Sequence, residues 1–188
     1  VKKALFNQLA AICSPSTLLT SNTSSISITA IAADVRHPER VAGLHFFNPA
    51  PVMKLVEVVS GLATSPEVVE QLCRCVTAWG KQPVRCRSTP GFIVNRVARP
   101  FYAEAWRALE EQVAPPAVID AALRDGGGFP MGPLALTDLI GQDVNFAVTC
   151  SVFNAFWQDR RFLPSLVQQE LALAGRLGKK SGQGVYRW

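Results

Sequence analysis

The sequence predicts an α/β domain followed by an all-helical domain. In residues 1–89, segments of helical periodicity alternate with short apolar runs bounded by turn residues, which is typical of an α/β sheet. From Pro90 onward almost every periodic segment is helical, and proline and glycine mark its ends. A chain of 188 residues can bury the cores of two small domains. The boundary is therefore predicted at 88–90, with domains over 1–89 and 90–188.

The elements of the first domain follow from periodicity and from capping residues. They are, in order, a helix over 1–13, a short buried strand over 17–20, a serine-capped helix over 26–35, strands over 41–45 and 55–59, a helix from Pro66 to Gly80 and a strand over 82–87. The strands over 41–45 and 55–59 are apolar except for one histidine and one glutamate. They are therefore predicted to be buried.

The second domain is predicted to contain five helices. They cover 92–112, with a bend near Pro100, and then 116–125, 134–140, 143–157 and 163–174. Three glycines at 126–128 end the second of these helices, and residues 178–186 form a glycine-rich basic loop. The aromatic and apolar faces of these helices are expected to pack against a partner subunit as well as against each other.

Composition excludes several classes of protein. Hydrophobic residues make up 48% and charged residues 18%, as in a packed soluble protein, and no run of about 18 apolar residues could span a membrane. The net charge of +5 comes from dispersed lysines and arginines without interleaved aromatics, which argues against nucleic-acid binding. Five cysteines in no metal-ligand pattern argue against a metal site and favour a reduced, cytoplasmic setting.

His45 and Glu57 are the strongest candidates for chemistry. A carboxylate buried in a strand needs a partner, and an imidazole on the neighbouring strand would supply one and form a general base. Two alternatives remain open: a histidine at a strand end is more often a satisfied core residue, and Pro49 and Pro51 suit an ordinary rigid turn equally well. His37 is predicted to be exposed and inert.

Five motifs occur in a fixed order and cover nearly the whole chain. They are SNTSS at 21–25, GLHFFNPAPVMKLVEVV at 43–59, TPGFIVNR at 89–96, FPMGPLALTDLIG at 129–141 and GKKSGQGVY at 178–186. With these motifs the chain resembles the 3-hydroxyacyl-CoA dehydrogenases of fatty-acid β-oxidation and ring degradation. It is most similar to the bacterial branch of phenylacetate breakdown, which acts on 3-hydroxyadipyl-CoA.

The resemblance implies a more specific fold. Residues 1–89 would be the C-terminal part of a Rossmann-type NAD-binding domain. Residues 90–188 would be a complete all-α domain for substrate binding and dimerisation, like the C-terminal domain of 6-phosphogluconate dehydrogenase. The expected partners are therefore an acyl-CoA substrate and a second copy of the chain, with neither nucleic acid nor membrane.

The resemblance also implies catalytic roles for four residues. His45 would take the proton of the substrate's 3-hydroxyl while hydride leaves C3 for the nicotinamide. Glu57 would hold the imidazole in the required tautomer, and Ser24 and Asn95 would hydrogen-bond the reacting oxygen. From the sequence alone Asn95 would be interpreted as a surface or capping amide.

NAD is the cofactor that the resemblance implies. Ser24, Asn22, Asn48 and Lys180 would contribute to its binding, with Asn48 forming part of the wall of the nicotinamide pocket and Lys180 lying near the cofactor. The choice between NAD and NADP stays open, because the acidic residue that reads the ribose would lie in a part of the family fold absent here.

The main departure from the family is the lack of a G-x-G-x-x-G turn after a strand. The glycines at 126–128 follow a helix and do not substitute. The chain is therefore expected to be the rear part of a longer enzyme, weakly active or inactive alone, with strand edges exposed at 17–20 and 41–47. The alternatives are a non-catalytic dimerisation module and a related dehydrogenase acting on a free hydroxy acid.

Overall fold

A four-stranded mixed sheet organises the first half of the chain. The computed structural model describes residues 1–24 and 26–188. The candidate residue Ser24 is therefore described, whereas Ser25, the last residue of the SNTSS motif, lies outside the described residues. The chain divides into two units, Val1–Ile93 and Val94–Trp188. The sheet belongs to the first unit, and the second unit is helical.

The sheet has the strand order β1-β2-β3-β4. The strands are β1 (Leu19–Ser21), β2 (Val41–Phe46), β3 (Leu55–Ser60) and β4 (Gln82–Arg87). β1 pairs with β2 in parallel, β2 with β3 antiparallel, and β3 with β4 in parallel. β2 and β3 are buried along almost their whole length because they carry apolar side chains toward both faces of the sheet.

The described part of this unit contains three α-helices, α1 (Lys2–Ile12), α2 (Ile28–Ala32) and α3 (Pro66–Ala78), and a short 3-10 turn over Pro38–Arg40. Ser27 caps α2 and Ser65 caps α3, since each hydroxyl accepts an amide N–H of the first turn. The unit has two apolar cores. One contains residues of α1, α2 and the sheet, including Val41 and Val59, and the other contains residues of α3 and the sheet, including Leu44 and Val58.

The predicted elements of the first unit are confirmed, with ends shifted by a few residues. One expectation about the sheet is wrong. β1 lies at an edge as expected, but β2 lies between β1 and β3, so the segment 41–47 does not expose a strand edge. The reason is that β3 returns antiparallel and covers it, a pairing that periodicity does not reveal.

The second unit contains five α-helices in its described residues. They are α4 (Val94–Glu110), α5 (Pro116–Ala121), α6 (Pro133–Ile140), α7 (Gln142–Ala155) and α8 (Leu166–Leu173), and a π-helical turn over Ala122–Gly126 extends α5. The helix predicted to start at Phe92 begins only at Val94. Gly91 and Phe92 have φ angles of 73° and 48°, which a right-handed helix cannot accommodate.

A buried aspartate on α6 holds the C-terminal tail in this unit. Asp138 Oδ1 accepts the Val185 amide at 2.9 Å and Gln142 Nε2 at 2.6 Å. Its Oδ2 accepts the Tyr186 amide at 2.9 Å and the indole Nε1–H of Trp188 at 3.0 Å. Four donors therefore compensate the desolvation of this buried carboxylate.

A second buried aspartate, Asp120 at the end of α5, caps α6. Its two oxygens accept the Leu134 and Ala135 amides, each at 2.8 Å, and Oδ2 also accepts the Tyr186 hydroxyl at 2.8 Å. A carboxylate at a helix N-terminus satisfies otherwise unpaired amides and interacts favourably with the helix dipole.

Glycines in the last two motifs make room for these aspartates. A Cβ on Gly132 would overlap the side chain of Asp120, and one on Gly184 would overlap Oδ1 of Asp138. A Cβ on Gly178 would overlap the backbone of Asp138. The motifs at 129–141 and 178–186 therefore have a structural explanation in the packing of the tail.

Candidate active site

His45 and Glu57 are direct partners across the antiparallel pair β2–β3. Their side chains point to the same face as Val41 and Val59, because alternate residues of a strand share a face. His45 Nδ1 lies 2.6 Å from Glu57 Oε2. His45 is 6% exposed and Glu57 is fully buried, so the pair is shielded from solvent.

The second carboxylate oxygen of Glu57 is also held. Oε1 accepts the backbone N–H of Ile93 at 2.9 Å. Hydrogen bonds to both oxygens fix the plane of the carboxylate and stabilise its charged form. The carboxylate is then an acceptor only, so Nδ1 of His45 carries the proton and donates it.

Two phenylalanine rings surround the imidazole. The centroid of Phe47 lies 4.7 Å from that of the imidazole, and Phe92 approaches edge-on at 5.6 Å. No described residue bonds the other ring nitrogen, Nε2. With the proton on Nδ1, Nε2 carries the lone pair and can act as a base toward a ligand.

The charge of Glu57 also acts on a neighbouring thiol. Burial, together with the negative charge of Glu57, raises the pKa of Cys86 on β4 to about 12. Cys86 therefore remains a neutral thiol at physiological pH and is not a nucleophile. The chemistry of this face lies with the imidazole.

Three of the residues predicted to bind the cofactor follow the carboxyl ends of β1 and β2. Asn22 follows β1, and its Oδ1 accepts the Phe46 amide at 3.1 Å, which anchors the loop beside the end of β2. Ser24 is half-buried in the same loop, and Asn48 is exposed in the loop after β2. Ligands of open α/β sheets bind at such carboxyl ends.

Ser21, the last residue of β1, was missed by the sequence analysis. Its side chain is buried, and its Oγ has no hydrogen-bond partner in residues 1–24 and 26–188. A buried hydroxyl without a partner is costly, so a polar group of a ligand is a natural partner for it. The residue was overlooked because a serine at a strand end carries no distinctive pattern.

Asn95 and Lys180 belong to the second unit. Asn95 lies in the first turn of α4 and is half-buried. Lys180 lies in a short 3-10 turn, where its ammonium group forms an ion pair with Asp143 of α7 at 2.6 Å and lowers the pKa of that carboxyl group. The catalytic role of Asn95 and the cofactor role of Lys180 stay predictions.

The described residues contain neither a metal-binding cluster nor a membrane-spanning helix. No cluster of three or more histidine, cysteine or acidic residues could hold a metal ion there. Within the same part of the chain, no helix has both the length and the apolar character needed to cross a bilayer.

A mixed α/β unit followed by an all-helical unit defines the class of two-domain α/β proteins. Family models agree with this class and make it specific. The model described as 3-hydroxyacyl-CoA dehydrogenase, NAD binding domain, matches residues 1–89, and that described as 3-hydroxyacyl-CoA dehydrogenase, C-terminal domain, matches residues 91–188. The chain belongs to the 3-hydroxyacyl-CoA dehydrogenase family.

Individual relatives agree. A protein of Escherichia coli K12 named 3-hydroxyadipyl-CoA dehydrogenase is 84% identical over 100% of this chain and 40% of its own length. A probable 3-hydroxybutyryl-CoA dehydrogenase of Bacillus subtilis is 45% identical over 98% of this chain and 64% of its own. The crystal structure of 3-hydroxybutyryl-CoA dehydrogenase from Escherichia coli K12 superposes with a TM-score of 0.98 at 84% identity, over 100% of this chain and 40% of that one.

Proposed function

We propose that this chain carries the general base of an NAD-dependent 3-hydroxyacyl-CoA dehydrogenase, which oxidises the 3-hydroxyl of an acyl-CoA to a ketone. The observation that carries the proposal is the buried bond between His45 Nδ1 and Glu57 Oε2 at 2.6 Å. The names of the relatives support the reaction, and the match to the family's NAD binding domain supports the cofactor. The chain spans 40% and 64% of the first two of these relatives, so the activity is proposed for the protein that contains it.

The proton of the 3-hydroxyl passes to Nε2 of His45. The imidazolium that forms carries its second proton on Nδ1, directly against the carboxylate of Glu57. In a buried site this charge pairing stabilises the protonated base, and a positioned general base contributes about 10²- to 10⁴-fold to a rate. In the reverse direction the imidazolium returns the proton, so high pH favours oxidation of the alcohol.

Ser24 and Asn95 would orient the reacting oxygen by hydrogen bonds. A hydroxyl and a side-chain amide can each donate to an oxygen that gains negative charge as its proton leaves. This assignment is supported by the motif positions of both residues. It predicts that replacing either by alanine lowers kcat more than it raises KM.

NAD, when bound, accepts the hydride that leaves C3 of the substrate. Its binding would involve Asn22, Ser24, Asn48 and Lys180, and Ser21 fits the same assignment, because its buried hydroxyl has no partner in the described part of the chain. We assign residues 1–89 to the rear part of the NAD-binding domain and 90–188 to the C-terminal domain.

The acyl group is proposed to be 3-hydroxyadipyl. The names of the similar proteins differ on this point, since one Escherichia coli relative is named for 3-hydroxyadipyl-CoA and the crystal structure for 3-hydroxybutyryl-CoA. We favour the longer dicarboxylic substrate because the motifs resemble the phenylacetate branch. Comparing kcat/KM for the two thioesters decides between them.

A homodimer through the second unit is also proposed. An apolar groove of about 360 Å³ on this unit is lined by residues of α4 and α5 and of the loop between them. Val113 and Val118 in this groove are more than half exposed, which suits burial in a subunit interface. Sedimentation of the Val118→Asp variant should show monomers, and an unchanged mass would reject this interface.

The test of the function uses a chimera, because the chain is shorter than its relatives. Residues 1–188 replace the matching stretch of the 84% identical Escherichia coli relative, and NADH formation is followed with 3-hydroxyacyl-CoA and with the free 3-hydroxy acid. We expect oxidation of the thioester, and His45→Gln should lower kcat by at least about 10²-fold. His37→Gln is the control.

Activity with the free acid alone would show a different dehydrogenase. An unchanged rate in His45→Gln would show that the dyad has no catalytic role. For the isolated chain we expect weak NAD binding, and micromolar affinity in calorimetry would overturn that expectation.

A further inference from the structure

The loop between β4 and α4 contacts both members of the His45–Glu57 pair through two consecutive residues. The ring of Phe92 approaches the imidazole edge-on, with centroids 5.6 Å apart. The next amide, that of Ile93, donates to Glu57 Oε1 at 2.9 Å. The proposed reaction uses neither the Phe92 ring nor the Ile93 amide directly, so the contact of both groups with the pair needs another explanation.

The backbone of this loop has an unusual conformation. Gly91 and Phe92 both have positive φ, at 73° and 48°. Glycine adopts this region readily, but a bulky L-residue rarely does. The conformation turns the peptide after Phe92, and the N–H of that peptide is the one that reaches Glu57. Conformations of this kind persist only where the surroundings determine them, and they concentrate at functional sites.

Burial of Phe92 stabilises the conformation. The residue is 3% exposed and belongs to the apolar core that contains Ile28, Val41 and Val59. That core lies on the same face of the sheet as His45 and Glu57. The ring therefore connects the packed interior of the unit to the edge of the imidazole.

We propose that Phe92, together with the backbone amide of Ile93, is a positioning element for the base. Phe92 restricts the plane of the His45 ring, and the Ile93 amide restricts the plane of the Glu57 carboxylate. The pair is thereby held with the proton on Nδ1 and the lone pair on Nε2. The inference deepens the proposed function, on which its catalytic meaning rests, but the geometry can be tested without any substrate.

The test is nitrogen NMR of the chain labelled with ¹⁵N-histidine. The sequence contains two histidines, and the side chain of His37 is 40% exposed, so His37 is an internal reference. In the unsubstituted chain the spectrum should show the neutral His45 protonated on Nδ1. In Phe92→Leu the fraction protonated on Nε2 should rise by about tenfold, because the imidazole plane is then less restricted toward the carboxylate and the preference for the Nδ1 tautomer weakens.

Ile28→Val is the matched control. It removes a methyl group from the same core, where Ile28 is fully buried, and leaves the ring of Phe92 in place. A general loosening of the core would change the tautomer in both variants. Positioning by the ring changes it in Phe92→Leu alone. Equal populations of the Nε2-protonated tautomer in Phe92→Leu and Ile28→Val would overturn the proposal.

Gly91→Ala provides a second variant if Phe92→Leu fails to fold. Alanine disfavours the positive φ at 91 and so disturbs the turn while the ring remains. It should also shift the tautomer and accelerate hydrogen exchange of the Ile93 amide. A folded Gly91→Ala chain with an unchanged tautomer and a protected Ile93 amide would contradict the proposal.

These readouts separate the two proposals. If the chimera lacks dehydrogenase activity but Phe92→Leu shifts the tautomer, the function fails and the positioning element stands. If the chimera is active and Phe92→Leu lowers kcat without changing the tautomer, the positioning proposal fails. If both hold, kcat should fall about tenfold in Phe92→Leu while KM for NAD and for the thioester changes less than about twofold.

Discussion

Asp138 binds the last residue of the chain, since its Oδ2 accepts the indole Nε1–H of Trp188 at 3.0 Å. The two residues are 50 positions apart, and the same carboxylate accepts the amides of Val185 and Tyr186. Asp138 therefore holds the tail through three donors, and Asp120 adds a bond from the Tyr186 hydroxyl. The stability of the second unit should therefore be sensitive to substitutions at Asp138.

Asp138→Asn should destabilise the second unit strongly. The substituted amide presents an NH₂ group to donors that need an acceptor, so at least one backbone or indole N–H loses its partner in a buried site. The expected cost is about 2–4 kcal/mol, measured as a shift of the urea unfolding curve. Asp143→Asn is the control, because the exposed pair with Lys180 should contribute less than about 1 kcal/mol. An equal loss of unfolding free energy in Asp138→Asn and Asp143→Asn would contradict this account of Asp138.

Gly184→Ala should weaken the same contact between the tail and Asp138 through a change in the tail itself. The added Cβ would overlap Oδ1 of Asp138. The backbone at residue 184 and the carboxylate of Asp138 therefore cannot both keep their positions. Limited proteolysis should then cleave the tail faster than in the unsubstituted chain. Gly126→Ala is the matched control, because a Cβ there meets nothing within 4 Å and its φ is not positive. That variant should be neutral or slightly stabilised.

The stability of the second unit should fall at alkaline pH. Burial, with the hydrogen bond and negative charge of Asp120, raises the pKa of Tyr186 above its ordinary value. The folded state therefore keeps the phenol neutral where the unfolded state loses its proton, at about pH 10. The contribution is fully present below that pH and is lost as the pH rises toward the raised folded-state pKa.

Urea unfolding at a series of pH values measures this loss. Tyr186→Phe should be less stable at neutral pH, because Asp120 loses a donor, but its stability should decline less between about pH 9 and 11. Tyr102 retains a smaller dependence of its own, since burial raises its pKa as well. Parallel pH profiles of the two proteins would show that Tyr186 is not the group responsible.

The sequence predicted the order and type of nearly all elements because their signals are local. Ser65 before Pro66 marks a helix start, and the apolar runs around His45 and Glu57 mark buried strands. The pairing of those two strands was inferred from chemistry, because a buried carboxylate needs a partner. The antiparallel register that joins them is a non-local property, and periodicity alone did not specify it.

The parts that were missed depend on backbone groups or distant partners. The Ile93 amide that holds Glu57 has no side-chain signature, and the left-handed Phe92 contradicts the propensity that predicted a helix from residue 92. Asp120 and Asp138 received no role from the sequence, because all but one of their donors lie 14 to 66 positions away. Glycines at 132, 178 and 184 were the available signal, since each leaves space for a buried neighbour.

Glu57→Gln should disable the dyad whichever way the new amide is oriented. Glu57 accepts from His45 Nδ1 with one oxygen and from the Ile93 amide with the other. Glutamine has one acceptor oxygen, so its NH₂ group must face either the imidazole or the backbone N–H. If it faces the imidazole, Nδ1 must become the acceptor and the proton moves to Nε2, where the base is needed. If it faces Ile93, the partly buried N–H of that residue loses its acceptor.

In the chimera, kcat should therefore fall by about 10²- to 10⁴-fold, and the unfolding free energy of the first unit should fall by about 1–3 kcal/mol. The measurements are the initial rate of NADH formation and urea unfolding of the same preparation. Glu111→Gln replaces an exposed carboxylate in the second unit and should change neither. Because the imidazole in Glu57→Gln is still present, a rate that stays within about threefold would show that the paired carboxylate does not act on the base.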